Sequence, residues 1–314
     1  MRTLFIGGPG RSGTSFVAQR LGQHGEVCAF PGIELKLFAE KNGLLDLHHS
    51  LVEAYSPNRA TVALQQFRRM IDGLIHGQFG QPGLSDLFPG EVWQRLFRTF
   101  CDALLRDGHP VPVCEHDFHL AARRLLRGLG DLATRLNAGA SRPLLFVEKT
   151  PHALLSMDFL QRLAPEAHFL HVMRDPRSIA YSLRKMRWGP DRLETCCAWV
   201  ESYCRAWCDV ERTTEGGRCL TQVRIEEIST DPLHWSNLIC TRLGLRVQPN
   251  LFDGAEARVL NGWATGCDPA DRALLDARLA GLAGQFGYRE AAIGEITASP
   301  SPSGASMVPA LAGQ

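Results

Sequence analysis

Thr3-Leu4-Phe5-Ile6-Gly7-Gly8-Pro9-Gly10-Arg11-Ser12-Gly13-Thr14-Ser15 decides the fold. Residues 3–6 form an apolar run of strand length, and the glycines that follow end it in a turn. From Ser12 to about Leu21 the apolar residues recur at helical spacing. A strand passing through a glycine-rich turn into a helix gathers backbone N–H groups and a helix N-terminus around one point. That is a cradle for an anion. The same stretch could be a bare turn. However, Arg11, Ser12, Thr14 and Ser15 surround the glycines with cationic and hydroxyl groups that a bare turn does not need.

The strand–turn–helix pattern recurs downstream. Leu144–Val147 reads as a second strand ending in Glu148-Lys149-Thr150-Pro151, with a helix expected over about 152–163. His168–Met173 reads as a third, running into Arg174-Asp175-Pro176-Arg177 and a helix over about 177–186. A helix over 194–212 and a strand over 221–225 follow. This alternation predicts an α/β fold, three layers around a central parallel sheet, with a site at the strands' carboxyl ends. Helical spacing over 59–77, 91–107 and 119–138 makes about 40–143 a helical insertion. We expect one domain over 1–290 and a disordered Ser/Pro/Ala/Gly tail over 291–314.

Composition narrows the function. The 314 residues are 45% hydrophobic, and 34 basic residues nearly balance 33 acidic ones, so no basic field marks a nucleic-acid binder. No run approaches the roughly 18 apolar residues of a membrane span. The N-terminal apolar stretch is too short for an export signal, so no membrane anchor is expected. Ten cysteines, most of them inside apolar runs, suggest buried thiols in a reducing, cytoplasmic setting. Only Lys36, Lys41, Lys149 and Lys185 are lysines, against a large excess of arginine.

Two motifs overlap in the first loop. Gly8-x-Gly10-x-x-Gly13 with Glu34 about 20 residues on fits a dinucleotide fingerprint, and hence an NAD(P)-dependent oxidoreductase. Pro31-Gly32 nevertheless break the chain where that motif's second strand should run. Gly8-x-x-x-x-Gly13 has Walker A spacing, but Thr14 stands in the lysine position. A nucleoside triphosphate would lose its main protein cation there. Arg11 supplies a cation within the loop instead, suiting a shorter anion.

Arg174-Asp175-Pro176-Arg177-Ser178-Ile179-Ala180-Tyr181-Ser182 decides between these readings. Arg174 at a strand tip and Ser182 two helical turns on can clamp a phosphate. Two anion sites at two strand tips suit a nucleoside phosphorylated at both ends. Together with Arg11–Ser15, this segment resembles the paired signatures of sulfotransferases that use 3′-phosphoadenosine 5′-phosphosulfate (PAPS). Glu148–Pro151 resembles the family's segment before the second signature, and Arg224–Pro232 a later one. In the latter, Ile225 replaces the usual tyrosine. The nearest likeness is to bacterial proteins akin to tyrosylprotein sulfotransferases, without the Golgi enzymes' membrane anchor.

The resemblance implies a P-loop-type fold with a helical acceptor-side region and a specific set of roles. Gly10, Arg11, Ser12, Gly13, Thr14 and Ser15 would hold the 5′-phosphosulfate, Arg174 and Ser182 the 3′-phosphate, and Arg224 a further part of the nucleotide. Arg11 and Lys149 would neutralise the leaving oxygen. Glu34 would be the general base, with His152 as the alternative. The implied acceptor is a hydroxyl of a small molecule, carbohydrate or peptide tyrosine, with homodimer formation left open. No metal is required, since arginine, lysine and loop N–H groups supply the positive charge.

Other features read as structural. Glu115-His116-Asp117-x-His119 has ligand-type residues but lacks the second cluster that a zinc or iron site needs. Cys196, Cys197, Cys204 and Cys208 read as thiols packing a helix, and His171 as a core residue. Phe67, Phe79, Phe88, Trp93, Phe97 and Phe100 read as core at helical spacing. Besides the oxidoreductase, a nucleotide-binding module without turnover is the remaining alternative.

Overall fold

The computed structural model describes residues 1–77, 82–136, 143–213, 219–255 and 262–288. Strand β1 (Arg2–Gly7) leads into helix α1 (Thr14–Leu21) and strand β2 (Val27–Ala29). A helical stretch follows: α2 (Leu44–His48), a π-turn (His49–Glu53), α3 (Pro57–His76), α4 (Gly90–Asp102) and α5 (Glu115–Leu136). Between α4 and α5 a small hairpin pairs β3 (Leu105–Arg106) with β4 (His109–Pro110). Helix α4 therefore ends earlier than the expected 107. Asp107 and Gly108 both take positive φ, the conformation of a tight hairpin turn.

The alternation then resumes. Strand β5 (Leu145–Lys149) leads through a 3₁₀ turn (Ala153–Ser156) to α6 (Met157–Leu163), β6 (His168–Met173) and α7 (Pro176–Leu183). Helix α8 (Leu193–Thr213), strand β7 (Leu220–Arg224) and helices α9 (Ile225–Thr230), α10 (Pro232–Leu243), α11 (Gly262–Gly266) and α12 (Pro269–Gln285) complete the described chain. The five long strands form one parallel sheet in the order β2-β5-β1-β6-β7. The tail expected over 291–314 and Phe79 lie outside the described residues.

Strand periodicity makes the three layers. Phe5, Phe146 and Phe169 point to one face, into a core shared with α2–α6. Leu4, Ile6, Leu145, Val147, Leu170 and Val172 point to the other, against α1, α9 and α10. The helical stretch thus covers the phenylalanine face, and Phe67, Trp93, Phe97 and Phe100 are buried there with Phe88 packed alongside. His171 is buried and stacked 3.7 Å from the Trp207 ring, and burial pushes its pKa down to about 3. Cys196, Cys197 and Cys204 are buried thiols, the last pushed up to about 12 by burial.

Topology marks where a ligand fits. From β1 the chain crosses to β2 on one side, whereas from β6 it crosses to β7 on the other. The loops after β1 and β6 diverge and open a crevice at the carboxyl ends. Ile6 pairs with Lys149 and Gly7 with His171, so β5 and β1 end together and β6 runs two residues further, to Met173.

Candidate active site

The loop after β1 needs its glycines. Gly8 has φ 153°, and a Cβ there would lie 2.1 Å from the Val172 carbonyl oxygen. Gly13 caps α1 at φ 103°, and a Cβ would meet Ile225 Cγ1 at 2.8 Å. Arg11 holds φ 74°, a left-handed conformation that costs a non-glycine residue about 1–2 kcal/mol. Such strain concentrates in functional loops.

A cavity of about 420 Å³ opens at this loop, within the usual range of roughly 300–1,000 Å³ for small-ligand sites. One side is Arg11–Phe16; the other is Arg174, Ser178, Tyr181, Ser182 and Lys185 from the β6 tip and α7. Ile225, Gly262 and Trp263 close it. The two signature segments therefore line a single cavity and touch across it. Arg11 Nε donates to Ser182 Oγ at 3.1 Å, and Arg174 Nη1 to the Arg11 carbonyl at 3.4 Å. Ser12 Oγ is buried with no hydrogen-bond partner among the described residues, a polar atom that an anion's oxygen would satisfy.

Helix α7 is aimed by buried charge. Asp175 caps its N-terminus by accepting from the Arg177 N–H at 2.9 Å, and Pro176 occupies the first turn. Arg177 is itself buried, paired with Asp175 and with Asp276 of α12, and lies 4.4 Å over the Trp263 ring. The second arginine of the signature is thus a clamp that docks α12 and presents Trp263.

Lys149 sits at the tip of β5 beside the loop. Its Nζ donates to Ser15 Oγ at 3.1 Å and forms an ion pair with Glu34 Oε1. Glu34 arrives there because Phe30, Leu35, Leu37 and Phe38 bury the segment after β2, and the Lys36 N–H donates to Thr150 Oγ1 at 3.2 Å. Lys36 Nζ is 4.0 Å from Glu34 Oε2. Behind them Glu148 is buried, accepting from Thr150 Oγ1 at 2.6 Å, and burial pushes its pKa up to about 7.

Glu34, Lys149 and Gly10 adjoin the lining residues without lining the cavity themselves, and two further sequence candidates lie elsewhere. Arg224 does not line the cavity: Glu227, three residues on, pairs with its guanidinium, which also donates to the Gly287 carbonyl at 2.7 Å. His152 is exposed, precedes the 3₁₀ turn and faces the Tyr203 ring at 5.4 Å. Gly10 lies under Trp188, whose Cη2 a Cβ would approach at 3.9 Å. Lys185, Tyr181 and Trp263 were not foreseen as lining residues. The scarcity of lysine was the available signal for Lys185, and nothing in the sequence singled out Trp263.

A phosphate-type loop and a second cationic strand tip thus face one cavity of a P-loop-like α/β fold. The sequence model of the sulfotransferase family matches residues 3–249, and the chain belongs to that family. That membership displaces the oxidoreductase reading. Among solved structures, the sulfotransferase domain of the Synechococcus PCC 7002 olefin synthase is similar. It shares 19% identity over 92% of this chain and 95% of that one, with a TM-score of 0.52. Sulfotransferase STF1 of Mycobacterium tuberculosis H37Rv is 17% identical over 89% and 76% of the two chains, with a TM-score of 0.43. No curated protein matches the chain significantly. Among the described residues, no helix is long and apolar enough to cross a membrane.

Proposed function

We propose that the protein transfers the sulfuryl group of PAPS to an acceptor hydroxyl on a small molecule, carbohydrate or peptide tyrosine, in a bacterial cytoplasm. The observation that carries this reading is the chain Ser15–Lys149–Glu34. It joins the anion loop, a strand-tip cation and a carboxylate beside the cavity.

The donor supplies an activated sulfuryl group, which passes from its bridging oxygen to the acceptor oxygen as one S–O bond breaks and another forms. The remaining tasks fall to the chain. Loop N–H groups, Ser12 and Arg11 hold the 5′ end, and Arg174 and Ser182 hold the 3′-phosphate. Lys185, on the same wall, adds a cation at that end where Arg224 is occupied. Lys149 offsets the charge that develops on the leaving oxygen. Lys149 holds Glu34 Oε1, and Oε2, with only the more distant Lys36 at 4.0 Å, is the atom that takes the acceptor's proton. These groups supply the positive charge without a metal.

The test separates binding from chemistry. Glu34→Gln should leave affinity for adenosine 3′,5′-bisphosphate nearly unchanged while kcat falls by about 10²–10⁴. Near-normal turnover would move the base elsewhere, with His152→Gln as the next variant to assay.

A further inference from the structure

The fold brings His48 to the cluster that looked incomplete in sequence. His48 ends α2, and Glu115 and His119 occupy the first turns of α5. One ligand-type atom from each of the three lies within 4.8 Å of the others. The expectation that Glu115–His119 lacks a further group is thereby corrected: α2 packs on α5, and the missing imidazole comes from it.

Both imidazoles are buried, at 2% exposure for His48 and 7% for His119. Neither His48 Nε2 nor His119 Nε2 has a hydrogen-bond partner among the described residues. A buried ring nitrogen without a partner is costly, and two facing one carboxylate need a common explanation. The rings stack 5.6 Å apart with planes 10° from parallel, edged by Phe118 and Phe159.

We propose that His48, His119 and Glu115 bind one zinc ion that staples α2 to α5 in the helical layer. Two imidazoles and a carboxylate are a borderline-soft set suited to Zn²⁺. Glu53 Oε1 lies 3.3 Å from His48 Nδ1 and helps to orient that ring, so the three residues supply three donors and the fourth position is left to solvent. Zinc bonds of about 2.0–2.2 Å place tetrahedral ligand atoms roughly 3.3–3.6 Å apart, so the set must close by about 1 Å. Glu115, with its side chain 55% exposed, is free to make that move. It must leave Arg162, 3.6 Å away, which keeps Asp158 as a partner at 3.1 Å. None of these residues lines the cavity or bonds to the Ser15–Lys149–Glu34 chain beside it, so the ion is structural and takes no part in transfer.

The experiment is zinc titration of the untagged, chelator-treated full chain, followed by calorimetry and thermal melting. One equivalent should bind, and zinc at 100 times its Kd should raise Tm by roughly 4 °C or more. His48→Gln and His119→Gln should each weaken binding at least about tenfold to a hundredfold and abolish the Tm rise. Both variants should keep wild-type affinity for adenosine 3′,5′-bisphosphate, which shows that they fold and separates this proposal from the functional one. Cobalt in place of zinc should show visible bands without a thiolate charge-transfer band, excluding the free cysteines as ligands. No binding by the wild-type chain, or equal binding by the double variant, would overturn the site.

Discussion

Glu148→Gln should change how stability depends on pH. Glu148 is buried at the tip of β5, with Oε1 held by Thr150 and Oε2 without a partner among the described residues. Burial raises its pKa from 4.5 to about 7, ahead of the opposing effects of the Thr150 hydrogen bond and Lys149. Between those values the unfolded chain has lost its proton while the folded chain keeps it, so stability falls as pH rises. At about 1.36 kcal/mol per unit, the interval corresponds to about 3 kcal/mol. Glutamine keeps an acceptor for Thr150 and does not titrate, so the variant escapes this loss. Urea unfolding of both proteins at matched pH reads the difference directly. His171, held down to about 3, titrates in both and cancels. The variant should gain about 3 kcal/mol on wild type between pH 4.5 and 8. Parallel pH curves would refute a protonated Glu148 behind Lys149.

Three further outcomes follow from the cavity walls. Arg174→Ala should weaken adenosine 3′,5′-bisphosphate binding by about 1.5–3 kcal/mol, roughly ten- to a hundredfold by calorimetry, and Ser182→Ala by less, because a neutral donor is lost. Lys185→Ala should lower the same affinity and flatten its salt dependence, whereas Arg224→Ala should act mainly on stability, since Glu227 holds that side chain. Gly13→Ala should lower stability by about 1–3 kcal/mol in urea unfolding and weaken nucleotide binding, because φ is 103° and Ile225 stands 2.8 Å from the added carbon.

The sheet was legible because its strands are continuous apolar runs ending in polar turns, as at Phe5-Ile6 and Val172-Met173. The two anion segments were legible because their residues are contiguous. Lys149 was legible by its rarity. The placement of Glu34 followed from a family likeness, since what delivers it is the burial of Phe30, Leu35 and Phe38 after an irregular turn. Arg224 was misplaced because the Glu227 carboxylate lies one helical turn away, a local competitor that motif reading ignores. Trp263 and His48 escaped for one shared reason. Each joins its cluster through helix packing, Trp263 by the Arg177–Asp276 clamp and His48 by α2 against α5.

Calorimetry of the intact chain with adenosine 3′,5′-bisphosphate and, separately, with NADP⁺ tests the central claim most directly. One bisphosphate should bind per chain, with affinity lost in Arg11→Ala and Arg174→Ala and no heat from the dinucleotide. Failure to bind the bisphosphate, or equal binding by both variants, would contradict it.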